Sequence, residues 1–582
     1  MGTPTENEQA HGDRAAVPPG RHPALWDLAE RYWRLTLAAS PSSATLLGVH
    51  EWDDRLEDVS EEAEHDLRDR LDHLRVDVAA LAPGDLSPRD RVTRALLTHQ
   101  LDTTIEAIDL RLAELGSDHM DGPHAMLLMV APQLTYPEPE HAEAALRRYE
   151  QVPGLLDQAL DRFRAGLAKG RAPASAVLAR SISSLDAYLE GPVERDPFLL
   201  PGLPEAWSSS DPAAEAWRAR AVELVRDRIR PAFEAYRDAL RDELGPAARD
   251  DAHAGWRYLP DGDQLYAALI RGHTTVDTTP RALHDLGREL TEQRLPEEYG
   301  RIGQECLGTS SFAEIRERLR TDPSLRHRDV AEVLATARSS IARATEAVQG
   351  WFGRLPEVGC EVAEIPDFLA ADAPYAYYFP PAVDRSRPGT YFINTADPEG
   401  ASRTEAESIA FHEAVPGHHL QIAISQELDD LPEFQRHDGS TAYVEGWALY
   451  AERLADEMGL YSGPLDRLGM LTADSWRSAR LVVDTGLHAL GWSRQQAIDY
   501  FTEHTPVPLE QIAPEVDRYL AIPGQALSYK VGQLEIQRVR ARAEAELGDR
   551  FDLAAFHDVV LGSGAVTLPV LEELVQGWID SQ

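Results

Sequence analysis

The sequence predicts a predominantly α-helical protein, a large two-lobed body with a small β element. Three observations carry this. From Pro23 onward most of the chain repeats apolar residues at helical spacing. Pro/Gly clusters cut that pattern into helix-length segments. The chain has 582 residues, more than one ordinary domain holds.

Residues 1–22 are polar and Pro/Gly-bearing, and read as a flexible leader. Leu25, Leu28, Tyr32 and Leu35 form a first helical stripe, and Leu67, Leu71, Leu74 and Val78 a second. Breaks fall at Ala82-Pro83-Gly84, at Leu200-Pro201-Gly202 and at Leu259-Pro260-Asp261-Gly262. The last sets a soft boundary between an N-terminal helical lobe, 23–258, and a second lobe, 259–582, which one large domain would also accommodate. The exception to helix is Tyr375–Phe379 and Thr390–Asn394, two β-prone runs flanking a turn-rich Asp384–Gly389. They predict a hairpin, either bracing a helix or offering an edge strand to an extended peptide.

Composition narrows the function. With 57 basic against 98 acidic residues the formal charge is −41. Such a surface repels a phosphate backbone and an anionic bilayer, so neither nucleic acid nor membrane is an expected partner. No run reaches the length of a membrane span, and the N-terminal residues lack an apolar core, so a cytoplasmic location is expected. Cys306 and Cys360 lack metal-ligand spacing and cannot build a disulfide framework.

The chemistry concentrates after the hairpin. Ser402-Arg403-Thr404-Glu405 has the form of a capping box and opens a predicted helix through His412-Glu413-Ala414-Val415-Pro416-Gly417-His418-His419 to Gln421. A zinc-hydrolase helix places two His four residues apart with a Glu beside the first. Here Pro416 occupies the fourth position. On a regular helix His418 lies about 120° from His412, while His419 lies about 20° away but roughly 10 Å further along the axis. Pro416 cannot donate to the carbonyl of His412, so a widened turn is expected that brings His418 into ligand position, with His419 as rival. A third ligand is expected from the next helix, whose apolar stripe is Tyr443, Trp447, Tyr450, Leu454 and Met458. Glu445 and Glu452 share a face off that stripe. Glu445, beside small Gly446, is the expected ligand, and Glu452 the rival or the group that orients a His.

These residues carry a family resemblance. His412–Gln421, Glu445–Glu452, Leu481–His488 and Pro523–Gly532, with Tyr266–Thr275 more weakly, resemble the bacterial family called domain of unknown function 885, regarded as zinc metallopeptidases. More loosely, Gly417-His418 resembles the Gly-His of the helical gluzincin peptidases, and Tyr529 resembles a tyrosine that hydrogen-bonds the tetrahedral intermediate in their helical carboxypeptidases. The resemblance implies a large two-lobed, gluzincin-like helical body with a central cleft, and a Zn2+ cofactor.

The expected activity is hydrolysis of amide bonds in short peptides by metal-activated water, with Glu413 moving the proton and Tyr529 donating to the oxyanion. His488 shares a helix face with Asp484 and Arg480, either as a substrate-binding group or as a satisfied core histidine. Lys530 or Arg518 is a candidate for holding a peptide carboxylate. A metallohydrolase acting on a non-peptide amide or ester would use the same apparatus. A non-catalytic binding protein whose metal site Pro416 has spoiled is the remaining alternative.

Overall fold

The computed structural model describes residues 17–207, 211–365, 374–382 and 387–582. It is predominantly helical with one three-stranded sheet. Most of the expected leader, and the turn after residue 382, lie outside the described residues. Within the leader's described end Arg21 is buried and donates to the Asp430 carbonyl at 2.5 Å, tying this segment to the body.

The first long helices are α1 (Pro23–Ala39), α2 (Glu61–Ala79) and α3 (Pro88–Asp109). Local chemistry starts them: the Ser60 side chain caps α2, and Ser87 forms a reciprocal capping box with Asp90 at the start of α3. The predicted stripe of α1 is buried throughout, as are Leu71, Leu74 and Val78 of α2. These faces join the main core, which also takes in α4 (Gly262–Thr274), α5 (Pro280–Glu289) and residues to Ile579. A second core, from Leu127 to Leu244, packs Tyr149, Phe163, Trp217, Phe233 and Tyr236 among helices of its own. A division at 258/259 therefore leaves the main core on both sides of the boundary.

The sheet follows α6 (Val330–Ala347). Its strands are β1 (Cys360–Glu364), β2 (Ala376–Phe379) and β3 (Gly389–Ile393), in the order β1-β3-β2. The predicted β2/β3 pair is antiparallel with Tyr377 opposite Phe392, whereas β1 pairs parallel to β3 and was not foreseen. Tyr391 and Ile393 of β3 are buried against Val333, Ala337 and Ala410, so the sheet braces the helix that follows.

That helix, α7 (Ala406–Glu413), and its successor α8 (His418–Gln426) correct two expectations. Ser402 makes no cap: Glu405 occupies that position without a side-chain hydrogen bond, and the Ser402 hydroxyl pairs with Thr404 at 3.0 Å. Nor does the helix widen and continue. It stops at Ala414 (φ −108°, ψ −104°), passes a cis Val415–Pro416 bond and restarts after Gly417 (φ −81°, ψ −130°). Proline removes the donor a continuing helix needs. A side chain at 417 would overlap the carbonyl oxygens of Phe411 and His412. The buried Trp447 indole donates to the Pro416 carbonyl at 3.0 Å and fixes the break.

The remaining elements around the site are α9 (Thr441–Glu457), α10 (Pro464–His488), α11 (Leu509–Ala521) and α12 (Ser528–Leu547). On α9 Tyr443, Trp447, Tyr450 and Leu454 are buried, as the sequence pattern requires. Helices α9 and α12 meet where Gly446 faces Gly532.

Candidate metal centre

The break after Glu413 turns His418 back toward His412. The Nε2 atoms of His412 and His418 lie 3.7 and 3.5 Å from Glu445 Oε2. All three ligand atoms fall within 4.8 Å of one another. Each comes from a different helix: α7, α8 and α9. The two imidazole planes stand at 83°, so both rings can aim a nitrogen at one point. Glu445 Oε2 is buried without a hydrogen-bond partner.

The electrostatics suit a cation. Burial opposes charge on His412, but Glu445 and Glu452 reverse this and hold its imidazole up at about 9. Burial likewise opposes charge on Glu445, yet the two histidines hold its carboxyl well below the usual range. The same carboxylates present a negative field to any cation in the pocket. Two imidazole nitrogens and one carboxylate oxygen fit zinc with a fourth position open.

Glu452 is not in this cluster. Its Oε1 accepts from His412 Nδ1 at 2.8 Å and its Oε2 from Ser408 Oγ at 2.7 Å. It therefore orients the ligand and fixes which ring nitrogen is free. His419, the rival ligand, points away. Its Nδ1 accepts from Tyr378 Oη at 3.0 Å and its Nε2 donates to the Val358 carbonyl at 3.1 Å, which fastens the sheet to α8. Burial lowers its pKa to about 4, so it is neutral.

Glu413 ends α7, half-buried, and its charge is felt at Cys360 and Tyr391 of the sheet. Tyr529, on α12, is raised in pKa by burial and then by the charge of Glu445, which keeps its hydroxyl a donor. Arg480 lies over its ring, 4.5 Å from the centroid.

His488 is a correction. It is wholly buried, its Nδ1 accepting from the Trp256 amide at 3.1 Å and its Nε2 donating to the Tyr519 carbonyl at 3.0 Å. Burial lowers its pKa to about 3. With both nitrogens committed it is a core residue with no means to touch substrate. Its helix neighbours turn elsewhere: Asp484 accepts from Tyr266 Oη at 2.5 Å, and Arg480 donates to Tyr519 Oη at 2.9 Å. Lys530 is likewise locked, pairing with buried Asp474 and with Gln533 Oε1 at 2.6 Å.

One other group among the described residues, His50, Asp53 and His141, has ligand atoms equally close together. Its imidazoles stack at 15° with centroids 4.4 Å apart, so no ion can lie in both ring planes. It is the poorer site on geometry.

Residues 41–575 match the family described as bacterial protein of unknown function DUF885. The chain belongs to the DUF885 family. No curated protein matches it. Among solved structures this DUF885 protein resembles one from Colwellia psychrerythraea, with 28% identity and a TM-score of 0.89 over 96% of this chain and 99% of that one. It also resembles one from Shewanella oneidensis, with 18% identity and a TM-score of 0.72 over 95% and 99%. Both are described as a "putative lipoprotein", the second "of unknown function". Among the described residues no helix is long and apolar enough to cross a membrane.

Sequence reasoning missed Ser408 and Arg477. Ser408 stands four residues before His412, the spacing that puts two side chains on one helix face. Arg477 and Arg480 are two charges three apart in the largely apolar run Leu468–Leu487.

Proposed function

We propose that this DUF885 protein is a zinc-dependent hydrolase of amide bonds in short peptides. The observation that carries the reading is the convergence of His412, His418 and Glu445, with an unpartnered Glu445 oxygen, beside Glu413. Zinc bound there would polarise a substrate carbonyl and lower the pKa of water. Glu413 would accept the proton of the attacking water and deliver it to the leaving amine, a role worth about 10²–10⁴-fold. Tyr529 would donate a hydrogen bond to the developing oxyanion. Glu452 and Ser408 would hold His412 in the tautomer that leaves Nε2 free.

The test is metal content and peptidase activity of the wild type and two variants. Near-stoichiometric zinc, lost in His412→Ala, is expected. Glu413→Gln should keep zinc and lose hydrolysis. Full activity in Glu413→Gln removes that residue as the base, and wild-type protein that takes up no zinc sinks the reading. The relatives' lipoprotein description favours work at the cell envelope over the cytoplasmic location expected above, and cell fractionation checks it.

A further inference from the structure

Beside Tyr529 the charge of the molecule inverts. In a chain of net charge −41, Arg477, Arg480 and Arg518 gather from α10 and α11 with a single carboxylate, Glu515, at ion-pair distance. Glu515 Oε2 lies 3.3 Å from Arg480 and 3.2 Å from Arg518, and it also accepts from Tyr519 Oη at 2.6 Å. Arg477 has no ion-pair partner among the described residues. Glu405 is a carboxylate whose field it shares, and burial raises the pKa of that carboxyl. The three guanidinium groups therefore have one carboxylate among them at ion-pair distance.

Two of its donors are also idle. Arg480 is 5% exposed, and its Nη1 is buried without a hydrogen-bond partner; so is Nε of Arg477. Leaving such donors unpaired in a protein interior is costly, and an anion is one partner that can satisfy them. Tyr529 connects the cluster to the metal centre. Arg480 and Arg477 lie 4.5 and 6.0 Å from its ring centroid, and its hydroxyl feels Glu445. Arg477, Arg518 and Tyr529 each keep a solvent-facing side.

We propose that Arg477, Arg480 and Arg518 bind the free C-terminal carboxylate of the substrate, so that cleavage falls near the C-terminus of a short peptide. Guanidinium groups are suited to this, since their planar forks match a carboxylate. The cleavage position rests on the hydrolase reading, whereas carboxylate recognition does not.

The experiment uses full-length, zinc-loaded protein and the pair N-benzoylglycyl-L-phenylalanine and its C-terminal amide. Hydrolysis is followed in the wild type, and binding is measured by calorimetry in zinc-loaded Glu413→Gln. The acid should exceed the amide at least about tenfold in kcat/KM and in affinity, the scale of one charge-assisted hydrogen bond. Arg477→Gln and Arg518→Gln should each shrink that ratio by weakening the acid more than the amide. Arg480→Lys, which keeps the charge in a buried position, should retain part of it. Metal-free protein should still prefer the acid, which separates the arginines from zinc as the source. Equal treatment of acid and amide by an active enzyme overturns the proposal and leaves the hydrolase reading standing. Selective, arginine-dependent binding of the acid without hydrolysis does the reverse. A preference that survives in Arg477→Gln combined with Arg518→Gln also overturns it.

Discussion

Replacing Gly446 by alanine tests whether helix packing sets the metal geometry. A Cβ at this position would lie 2.5 Å from both Cα and C of Gly532 and 2.8 Å from the amide nitrogen of Gln533. Ordinary contact starts at 3.4 Å, and the obstacle is backbone, which cannot swing aside. Helices α9 and α12 must part by about 1 Å. Overpacking of this kind costs about 1–3 kcal/mol, and a backbone obstacle belongs at the upper end. Alanine's better helix propensity returns about 1 kcal/mol, so the net loss is about 2 kcal/mol. Glu445 is the adjacent residue and moves with the helix. Metal–ligand distances hold only within about ±0.2 Å, so a displacement near 1 Å should weaken zinc binding by at least about tenfold. Competition against a chromophoric chelator measures the affinity, and chemical denaturation of the metal-free protein measures the stability. Unchanged values in both would refute the argument that the Gly446–Gly532 approach positions Glu445.

Gly577 is the matching control: it sits in the helix Leu568–Ser581 with nothing within 4 Å of a Cβ, and Gly577→Ala should raise stability by about 0.5–1 kcal/mol in the same denaturation assay. Glu452→Gln should lower zinc affinity about 10–100-fold without unfolding the protein, because it weakens the partner of His412 Nδ1; undiminished affinity would mean the partner is idle. Tyr529→Phe should reduce kcat about 10²–10³-fold at unchanged zinc content if its hydroxyl meets the oxyanion, and an unaltered kcat would exclude that contact. Burial raises Asp484 to about 7, above the unfolded value near 3.9. Its contribution to stability is therefore complete below about pH 4 and is lost as pH rises through 7, about 4 kcal/mol over that range. Asp484→Asn removes this dependence, so the variant should gain on the wild type between pH 4 and 7.5. A pH-independent difference would contradict the shift.

What the sequence made legible is what local rules govern. The stripes of α1, α2 and α9 follow from side-chain period alone. His412, His418, Glu445 and Glu452 stood out because ligand types crowd two short segments, and the Pro416-Gly417 pair announced a disturbance between them. Its form did not follow, because the complete break is held by Trp447, 31 residues away in sequence and on another helix. The role of His488 was open for a similar reason. A helix face of Arg, Asp and His looks the same whether it meets substrate or, as here, the backbone of residues 256 and 519. Strand β1 escaped notice because its parallel pairing joins segments nearly thirty residues apart and leaves no turn signature. The arginine cluster is the plainest case of information outside any local window, since Arg518 comes from a different helix than Arg477 and Arg480.

The break between α7 and α8 would make a bound ion a cross-link between separate helices. Had both histidines stood on one continuous helix, helix geometry alone would have fixed their spacing. Instead three separate helices meet at one point. An ion bound there would tie them together and favour the folded state over the unfolded one, so stability and metal occupancy would become linked quantities. Glu413 is the last residue of the first helix, and the four residues after it form the joint. Its carboxylate therefore sits beside the joint that Trp447 fastens, and a substitution that loosened the joint would shift Glu413 together with the three converging side chains.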